Sequence, residues 1–161
     1  MSESTIKGAI AEAAITAAAV ELGFVVSRPV IEGRRYDLII DIGPELLRVQ
    51  CKWAQRKGTV IPVTLSTCRH TPGGYVRSTY APDEVDGIAV YCHELRRCFY
   101  LPIEAVAGRT GFNLRLAPAA NHQEAAINYS DQYAFGAIAQ LGERVTGSHE
   151  VAGSSPASST S

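Results

Sequence analysis

Two neighbouring segments of the sequence carry polar side chains within apolar runs. Tyr36–Ile42 is apolar apart from two aspartates, the first of which is Asp37, and Leu46–Lys52 ends in Arg-Val-Gln-Cys-Lys. Side chains alternate along a strand, so Gln50 and Lys52 point the same way. If that face meets Asp37, a carboxylate, an amide and an ammonium group converge. Burying such groups unpaired costs about 2 kcal/mol or more each, so we expect them to bind an ion or a ligand unless they form a chance polar patch at a solvated strand end.

A helix that could contribute to the same site is predicted over Ser4–Leu22. A serine can cap its start, and Gly23 suits its end. Apolar residues occur almost all round it, which is typical of a largely buried helix. Glu12 is the only charged side chain in the middle of this helix, so its carboxylate needs a cation nearby unless it lies on a narrow exposed strip.

The other elements are predicted to form the sheet that positions these groups. The length and composition of the chain fit one soluble α/β domain. We expect a mixed, mostly antiparallel central sheet of five or six strands with helices packed on it. A helical turn is expected within Ala119–Ala126. The strands are predicted at Phe24–Ile31, Tyr36–Ile42, Leu46–Lys52, Thr59–Leu65, Val85–Tyr91, Cys98–Leu101 and Leu114–Leu116, a short helix at Pro102–Val106 and a last packed segment at Ile127–Tyr133.

Positive charge is concentrated in the middle of the chain. The formal net charge is −1, yet Arg28–Arg77 holds nine Lys/Arg against four Asp/Glu. Within it, Ser66–Pro82 is interpreted as a loop in which arginines alternate with aromatic and hydroxyl side chains, the mixture used to contact phosphates and base edges. This distribution predicts a localised polyanion-binding face.

Cysteine usage and hydropathy narrow the class of protein. Four cysteines without a secretion signal predict reduced thiols in a cytoplasmic protein, and the Ala-rich helix is too short to span a bilayer. A zinc site made of Cys68, His70, Cys92 and His93 is disfavoured, because the usual paired-cysteine spacing is missing. No dinucleotide or phosphate-cradling glycine motif is present.

The last segment, 136–161, differs in composition from the preceding domain of residues 1–135. It is rich in Gly, Ser and Ala, and we expect it to be disordered or loosely packed. Two of its stretches, Ile138–Arg144 and Val151–Pro156, can be encoded by the D-arm and T-arm of a bacterial tRNA gene. The reading frame is therefore hypothesised to run into such a gene.

The order of the polar residues resembles a nuclease motif. Glu12 on a helix, Asp37 in a strand and Gln50-x-Lys52 in the next strand resemble the PD-(D/E)XK nuclease core, with Gln in place of the usual second acid. Arg35-Tyr-Asp-Leu38, followed by Arg48-Val-Gln-Cys-Lys52, Glu84–Asp86 and Ala89–Cys92, is similar to the group I intron homing endonucleases of that superfamily. The resemblance implies a restriction-endonuclease-like core.

The resemblance also implies a reaction and a metal site. It implies a Mg²⁺-dependent, site-specific cleavage of double-stranded DNA, with Mn²⁺ as an alternative ion. Asp37, Gln50, Glu12 and the Cys51 carbonyl are the implied metal ligands, and Lys52 completes the catalytic set by contacting the attacking water or the scissile phosphate. Because Gln50 is neutral, we expect weaker ion binding than at a site with two acids.

Several side chains are expected to contact DNA, and other functions stay open. These side chains are Arg34, Arg35, Arg56, Lys57, Ser66, Arg69, His70, Arg77 and Tyr80. Cutting both strands takes two active sites, so a homo-oligomer, a dimer or a tetramer, is expected. The alternatives are a structure-specific nuclease of the Holliday-junction-resolvase type and a DNA-binding module that has lost cleavage.

Overall fold

The computed structural model describes residues 1–118 and 127–150, with side chains described as far as residue 144. The described elements are α1 (Glu3–Glu21), β1 (Val25–Ser27), β2 (Leu38–Asp41), β3 (Leu46–Ala54), β4 (Val60–Thr64), β5 (Thr67–Thr71), β6 (Gly74–Ser78), β7 (Gly87–Cys92), β8 (Arg97–Pro102), α2 (Ile103–Val106), β9 (Gly111–Arg115), a 3₁₀ turn (Ser130–Tyr133) and α3 (Ala137–Glu150).

A mixed five-stranded sheet forms the centre of the molecule, with the strand order β1-β2-β3-β7-β8. Neighbours pair antiparallel except β3 and β7, which are parallel. The two predicted strands Tyr36–Ile42 and Leu46–Lys52 form the hairpin β2–β3, in which Leu38 pairs with Val49 and Asp41 with Leu46. The predicted α/β class with a mixed, mostly antiparallel sheet is therefore confirmed.

Apolar layers cover both faces of this sheet. On one face, α1 packs with β2, β3 and the start of α3, and Val49 and Cys51 belong to this layer. On the other face, the two-stranded sheet of β4 and β9 packs over β7 and β8, with Ile61 and Val63 in contact with that core. Because β3 alternates, Gln50 and Lys52 lie on the face opposite α1.

Helix α1 is less buried than its composition predicts. Only Ala11, Ile15 and Ala19 are fully buried, a stripe of residues four apart that faces the sheet. Ile6 and Val20 are 46% and 57% exposed, so the expectation of a largely buried helix is wrong. Alanine is small enough to sit on any face of a helix, and it therefore carries little information about orientation.

Three predicted boundaries differ from the structure. β1 ends at Ser27 rather than at Ile31, because the chain leaves the sheet before Pro29, which has no N–H to donate. β3 continues to Ala54, two residues beyond its predicted end at Lys52. The segment interpreted as a loop, Ser66–Pro82, instead forms the antiparallel hairpin β5–β6 around Pro72-Gly73. Its alternating Thr, Val and Tyr side chains favour strand, and the Pro-Gly turn signal joins them.

The C-terminal segment also departs from expectation over part of its length. Ala137–Glu150 form α3, and Ile138 is fully buried against the layer that contains α1. Gly142 lies so close to the β2–β3 turn that a Cβ there would be 3.0 Å from the carbonyl oxygen of Ile42. The predicted turn in 119–126 and the end of the tail, 151–161, lie outside the described residues, and the division into domain and tail stays a prediction.

In the part of the chain that the structure describes, no helix is long and apolar enough to cross a membrane. Cys51, Cys68, Cys92 and Cys98 are all free thiols.

Candidate active site

Asp37 precedes β2 and is held in place by β3. Its backbone N–H donates to the carbonyl oxygen of Val49 (2.9 Å), which extends the β2–β3 pairing by one residue. Its Oδ2 atom accepts from the backbone N–H of Cys51 (2.9 Å) and from the side-chain amide of Gln50. Burial raises the pKa of Asp37, and the nearby Glu12 carboxylate adds to this, while the Cys51 N–H and Lys52 oppose it. The carboxylate therefore lacks a full complement of positive charge.

Gln50 and Lys52 come from the same face of β3 and lie beside Asp37. Besides its bond to Asp37, the Gln50 amide nitrogen is 3.3 Å from the carbonyl oxygen of Cys51. The Nζ atom of Lys52 lies 5.2 Å from the centre of the Tyr80 ring, a distance that suits a cation–π contact. The Tyr80 ring is 2% exposed, so it forms a rigid wall behind the ammonium group.

Asp37, Gln50 and Lys52 line one cleft of about 570 Å³. Its floor is formed by Asp37, just before β2, and by the middle of β3, and its outer wall is the β5–β6 hairpin. The lining residues are Gly33, Arg34, Arg35, Asp37, Gln50, Lys52, Thr67, Arg69, Val76, Ser78, Tyr80 and Glu84. The structure thus brings Asp37 together with Gln50 and Lys52, which follow it by thirteen and fifteen positions in sequence.

Glu12 reaches the site from the opposite side. It lines a second cleft of about 320 Å³, whose other lining residues include Arg28, Arg34 and Asp37. Its Oε2 atom accepts a hydrogen bond of 2.7 Å from Nη1 of Arg28. Asp37 is the carboxylate that the two clefts share, and Glu12 is the second acid near it. The cation that Glu12 needs is therefore Arg28, a residue that the sequence did not single out.

The donor set around Asp37 fits a hard divalent cation. It offers the Asp37 carboxylate, the Gln50 amide oxygen once that amide is turned, and the Cys51 carbonyl oxygen, with the Glu12 carboxylate nearby. Oxygen ligands of this kind are what Mg²⁺ takes. In the described residues, no three His, Cys, Asp or Glu side chains form a metal-binding group. A group made only of those side chains leaves out the Gln50 amide and the Cys51 backbone carbonyl, which are two of the four donors around Asp37.

Arg35 and Tyr80, both expected to contact DNA, are used inside the protein. The Arg35 guanidinium donates to Thr67 Oγ1 (2.8 Å), Ser78 Oγ (3.2 Å) and the Thr79 carbonyl oxygen. It also lies 4.5 Å from the centre of the buried Tyr80 ring. Arg35 therefore fastens the β5–β6 hairpin to the sheet, and the Tyr80 ring supports two cations instead of offering a free surface.

The β5–β6 hairpin has two different faces. In its register, Cys68 pairs with Arg77 and Arg69 with Val76, so the two arginines lie on opposite faces. Arg69 lines the Asp37 cleft. Arg77 shares the outer face with His70 and Tyr75, whose rings are in edge contact at 5.0 Å. Both faces present exposed side chains that the sequence predicted to contact DNA.

The remaining predicted contact residues are spread around this region. Arg34 lines both clefts. Arg56 and Lys57 are exposed in the turn between β3 and β4, and they do not line either cleft. Ser66 is half-buried between β4 and β5. The basic residues thus form a surface that runs from the clefts along the hairpin, with Arg56 and Lys57 at a separate turn.

Comparisons with known proteins agree with this arrangement. A model of the PD-(D/E)XK endonuclease family matches residues 2–136. Among solved structures, the chain is similar to a bacterial homing endonuclease, I-Ssp6803I, with a TM-score of 0.71 and 24% sequence identity. That likeness covers 90% of this chain and 99% of the other, and it establishes a shared, restriction-endonuclease-like fold. No curated protein matches the chain.

Proposed function

We propose that this chain, which belongs to the PD-(D/E)XK endonuclease family, is a DNA endonuclease that depends on Mg²⁺ and cuts both strands at a defined site, as homing endonucleases do. Family membership accounts for the DNA endonuclease activity, and nucleases of this family generally use divalent metals. The choice of Mg²⁺ and the site specificity are the proposed part. One observation carries the proposal: Asp37, Gln50 and Lys52 line a single cleft that is walled by an arginine-bearing hairpin.

The proposed ligands follow from the chemistry of the donors. Asp37 would be the chief ligand, with the Gln50 amide oxygen and the Cys51 carbonyl oxygen as further ligands. Glu12 binds the ion directly or holds one of its waters. When bound, the ion neutralises charge on the scissile phosphate and helps to activate a water. Lys52 holds a phosphate oxygen or the attacking water, a task that suits a compact ammonium backed by the Tyr80 ring.

The hairpin is the proposed reading element. A two-stranded β-ribbon fits the major groove of B-DNA, and β5–β6 is a separate two-stranded sheet with exposed side chains. Arg77, His70 and Tyr75 occupy its outer face, while Arg69 lies toward the cleft. We assign base contacts to the outer face, and a phosphate contact near the scissile bond to Arg69. Arg34, Arg56 and Lys57 contact the flanking backbone.

Cutting both strands requires two copies of the Asp37 cleft. Among the described residues, one cleft combines Asp37, Gln50 and Lys52, so at least a dimer is proposed, and a tetramer is the larger alternative. Light scattering after size exclusion, with and without DNA, measures the number of copies. If the protein stays monomeric on DNA, it can nick only one strand at a time, which would contradict the proposed double-strand cut.

The direct test uses a plasmid pool that carries randomised inserts. Incubation with the protein and Mg²⁺, followed by sequencing of the new DNA ends, is expected to show cuts at one recurrent sequence. Asp37→Ala and Lys52→Ala should each abolish cleavage and leave DNA binding largely intact, whereas Arg97→Ala, at the far edge of the sheet, should cut like the wild type. Wild-type rates in either of the first two variants would contradict the assignment.

The same experiment separates the two other functions. Cleavage confined to four-way junctions, added as a second substrate, would indicate a Holliday-junction-resolvase type of nuclease. Retention of DNA without cleavage in Mg²⁺ or Mn²⁺ would indicate a binding module. The neutral Gln50 makes the binding module the sharper alternative, because one negative charge is missing from the metal site.

A further inference from the structure

The ion pair between Glu12 and Arg28 connects α1 to the chain that follows β1. Nη1 of Arg28 donates to Oε2 of Glu12 at 2.7 Å, and the two side chains are 54% and 29% exposed, respectively. The guanidinium therefore reaches into the second cleft from solvent and covers the carboxylate. Arg28 is a residue to which the proposed function gives no task.

The surroundings of this pair are those of the proposed metal site. The second cleft is lined by Glu12, Arg28 and Asp37 and also by Glu32 and Arg34, so three carboxylates and two guanidinium groups share it. Glu12 and Arg28 both act electrostatically on Asp37: the first raises the pKa of its carboxyl, and the second lowers it. A change in the partner of Glu12 therefore changes the electrostatic environment of the Asp37 carboxyl.

We propose that Arg28 is a positioning residue that exchanges partners: it holds the Glu12 carboxylate while the site is empty, and it moves to a DNA phosphate when a divalent cation takes its place. The inference rests on the proposed function, because it needs both the metal site and DNA. It adds a residue to the site and gives it a different partner in each state.

Electrostatics makes the two partners of Glu12 mutually exclusive. A divalent cation that binds Glu12, directly or through a water, comes within a few ångströms of a guanidinium on the same oxygen, and the two positive charges repel each other. The pair is partly solvated, and ion pairs of this kind are weak, so the exchange is easy. Without a metal ion, Arg28 keeps the Glu12 carboxylate paired, so no unpaired acid lies next to Asp37.

The chemistry of the released group determines where it goes. A guanidinium is planar and donates two parallel hydrogen bonds, which match a phosphate as well as a carboxylate. Arg28 stays at the rim of the cleft that contains Asp37, where the backbone of a DNA strand bound for cleavage would pass. A phosphate next to the scissile one is the partner that this position supplies.

Metal binding without DNA provides the first test. Free Mn²⁺ is measured by electron paramagnetic resonance in titrations of the wild type, Arg28→Ala and Glu12→Gln. Both variants break the same ion pair, yet we expect opposite effects. Arg28→Ala should bind Mn²⁺ about two- to fivefold more tightly, because a competitor is gone. Glu12→Gln should bind it more weakly, because a ligand is gone. A merely structural ion pair would move both variants the same way.

DNA binding provides the second test, with a short duplex of arbitrary sequence and Ca²⁺ in place of Mg²⁺ to prevent cutting. In Ca²⁺, Arg28→Ala should lower the slope of log K against log salt by about one, the loss of one phosphate contact. With chelator and no metal, the slope should equal that of the wild type, because Arg28 is then held by Glu12. Arg97→Ala, an exposed arginine that pairs with Asp131, is the matched control and should change neither quantity.

The possible failures point to different conclusions. If the wild type binds Mn²⁺ and Arg28→Ala binds it equally or more weakly, the partner exchange is wrong and the proposed function stands. An unchanged salt slope in Ca²⁺ likewise removes the phosphate half of the exchange. If the wild type binds no Mn²⁺, or if Asp37→Ala binds as much Mn²⁺ as the wild type, the proposed metal site itself is wrong. This inference is then wrong as well.

Discussion

The side-chain amide of Gln50 donates a hydrogen bond to Oδ2 of Asp37, the oxygen that also accepts from the backbone N–H of Cys51. Two proposed metal ligands are thus joined to each other by a hydrogen bond. A neutral amide can do this, whereas a second carboxylate in the same place would repel the first. The amide therefore makes the empty site more stable and the loaded site less negative.

Gln50→Glu should reverse that balance. With chelator, the two carboxylates repel each other, and we expect the free energy of unfolding to fall by about 1–2 kcal/mol. With Mn²⁺, the added charge should tighten ion binding about tenfold. Thermal unfolding in chelator and in Mn²⁺ measures both effects. Gln50→Met is the control, since it removes the amide without adding charge and should gain no metal affinity. A chelator-treated Glu variant as stable as the wild type would contradict the prediction.

Asp37→Asn should stabilise the metal-free protein at neutral pH. Burial raises the pKa of Asp37, so the folded state binds a proton more tightly than the unfolded state does. The stability of the wild type relative to the Asn variant should therefore fall as pH rises from the ordinary aspartate range through the raised pKa. Urea unfolding with chelator at a series of pH values measures this difference. Equal stabilities of the two proteins at every pH would contradict it.

Asp86→Asn is the control of opposite sign. Burial of Asp86 acts to raise its pKa but is outweighed by its hydrogen bonds with Arg48, so the pKa lies below the usual range. The Arg48 backbone N–H and Nε donate to Oδ2 of Asp86 at 2.7 and 3.0 Å. Asp86 thus contributes stability above its unfolded pKa, and that stability is lost as pH falls through the folded pKa. The Asn variant should be less stable at neutral pH, with the gap closing in acid.

Tyr80→Phe and Tyr80→Leu should separate the ring from its hydroxyl. Among the described residues, the buried Tyr80 hydroxyl has no hydrogen-bond partner, so Tyr80→Phe should be neutral or stabilise by up to about 1 kcal/mol. Tyr80→Leu removes the ring that backs Lys52 and Arg35, and it should cost about 1–3 kcal/mol. Urea unfolding measures stability, and cleavage assays should show a lower kcat for Leu only. Equal losses of stability and kcat in both variants would contradict the prediction, because they would show that the Tyr80 hydroxyl is needed.

Gly87→Ala should be strongly destabilising. A Cβ at Gly87 would lie 2.3 Å from the ring of Tyr100, a buried residue of the neighbouring strand β8 that pairs with Ala89. Overpacking of this kind costs about 1–3 kcal/mol or more. Gly8→Ala is the matched control, because it lies in α1 with open space around it and should stabilise by about 0.5–1 kcal/mol. Combining Gly87→Ala with Tyr100→Leu should recover part of the loss, and an additive double variant would show that the ring is not the cause.

The sequence predicted the central part of the site because strand alternation is a strong constraint. Asp37, Gln50 and Lys52 needed only two paired strands and a period of two to be placed on one face. Their hydrogen bonds were not predictable, since they depend on which donor faces Oδ2. Arg28 was missed as the partner of Glu12, although the need for a cation was evident. Sixteen residues and an unpredicted chain direction after β1 separate the two.

The largest error concerned the hairpin β5–β6. Its length, its serines and its Pro-Gly turn predict a loop, yet the same residues pair as two antiparallel strands. Sequence polarity alone cannot separate these cases, because an exposed ribbon has no buried face to give it an apolar side. For the same reason, a run of alanines overstated the burial of α1, and the small residues of α3 concealed a helix that packs through Ile138.

The attachment of that ribbon has a consequence for how such proteins diverge. Arg35 fastens β5–β6 from the side of the sheet, and the outer face of the ribbon, with His70, Tyr75 and Arg77, contacts neither Asp37 nor Lys52 in the cleft. Substitutions on that face can therefore accumulate without disturbing the residues proposed for catalysis. Under the proposed function, target preference and catalytic competence are inherited on separable parts of one short chain, so a lineage could acquire a new target while it keeps the same reaction.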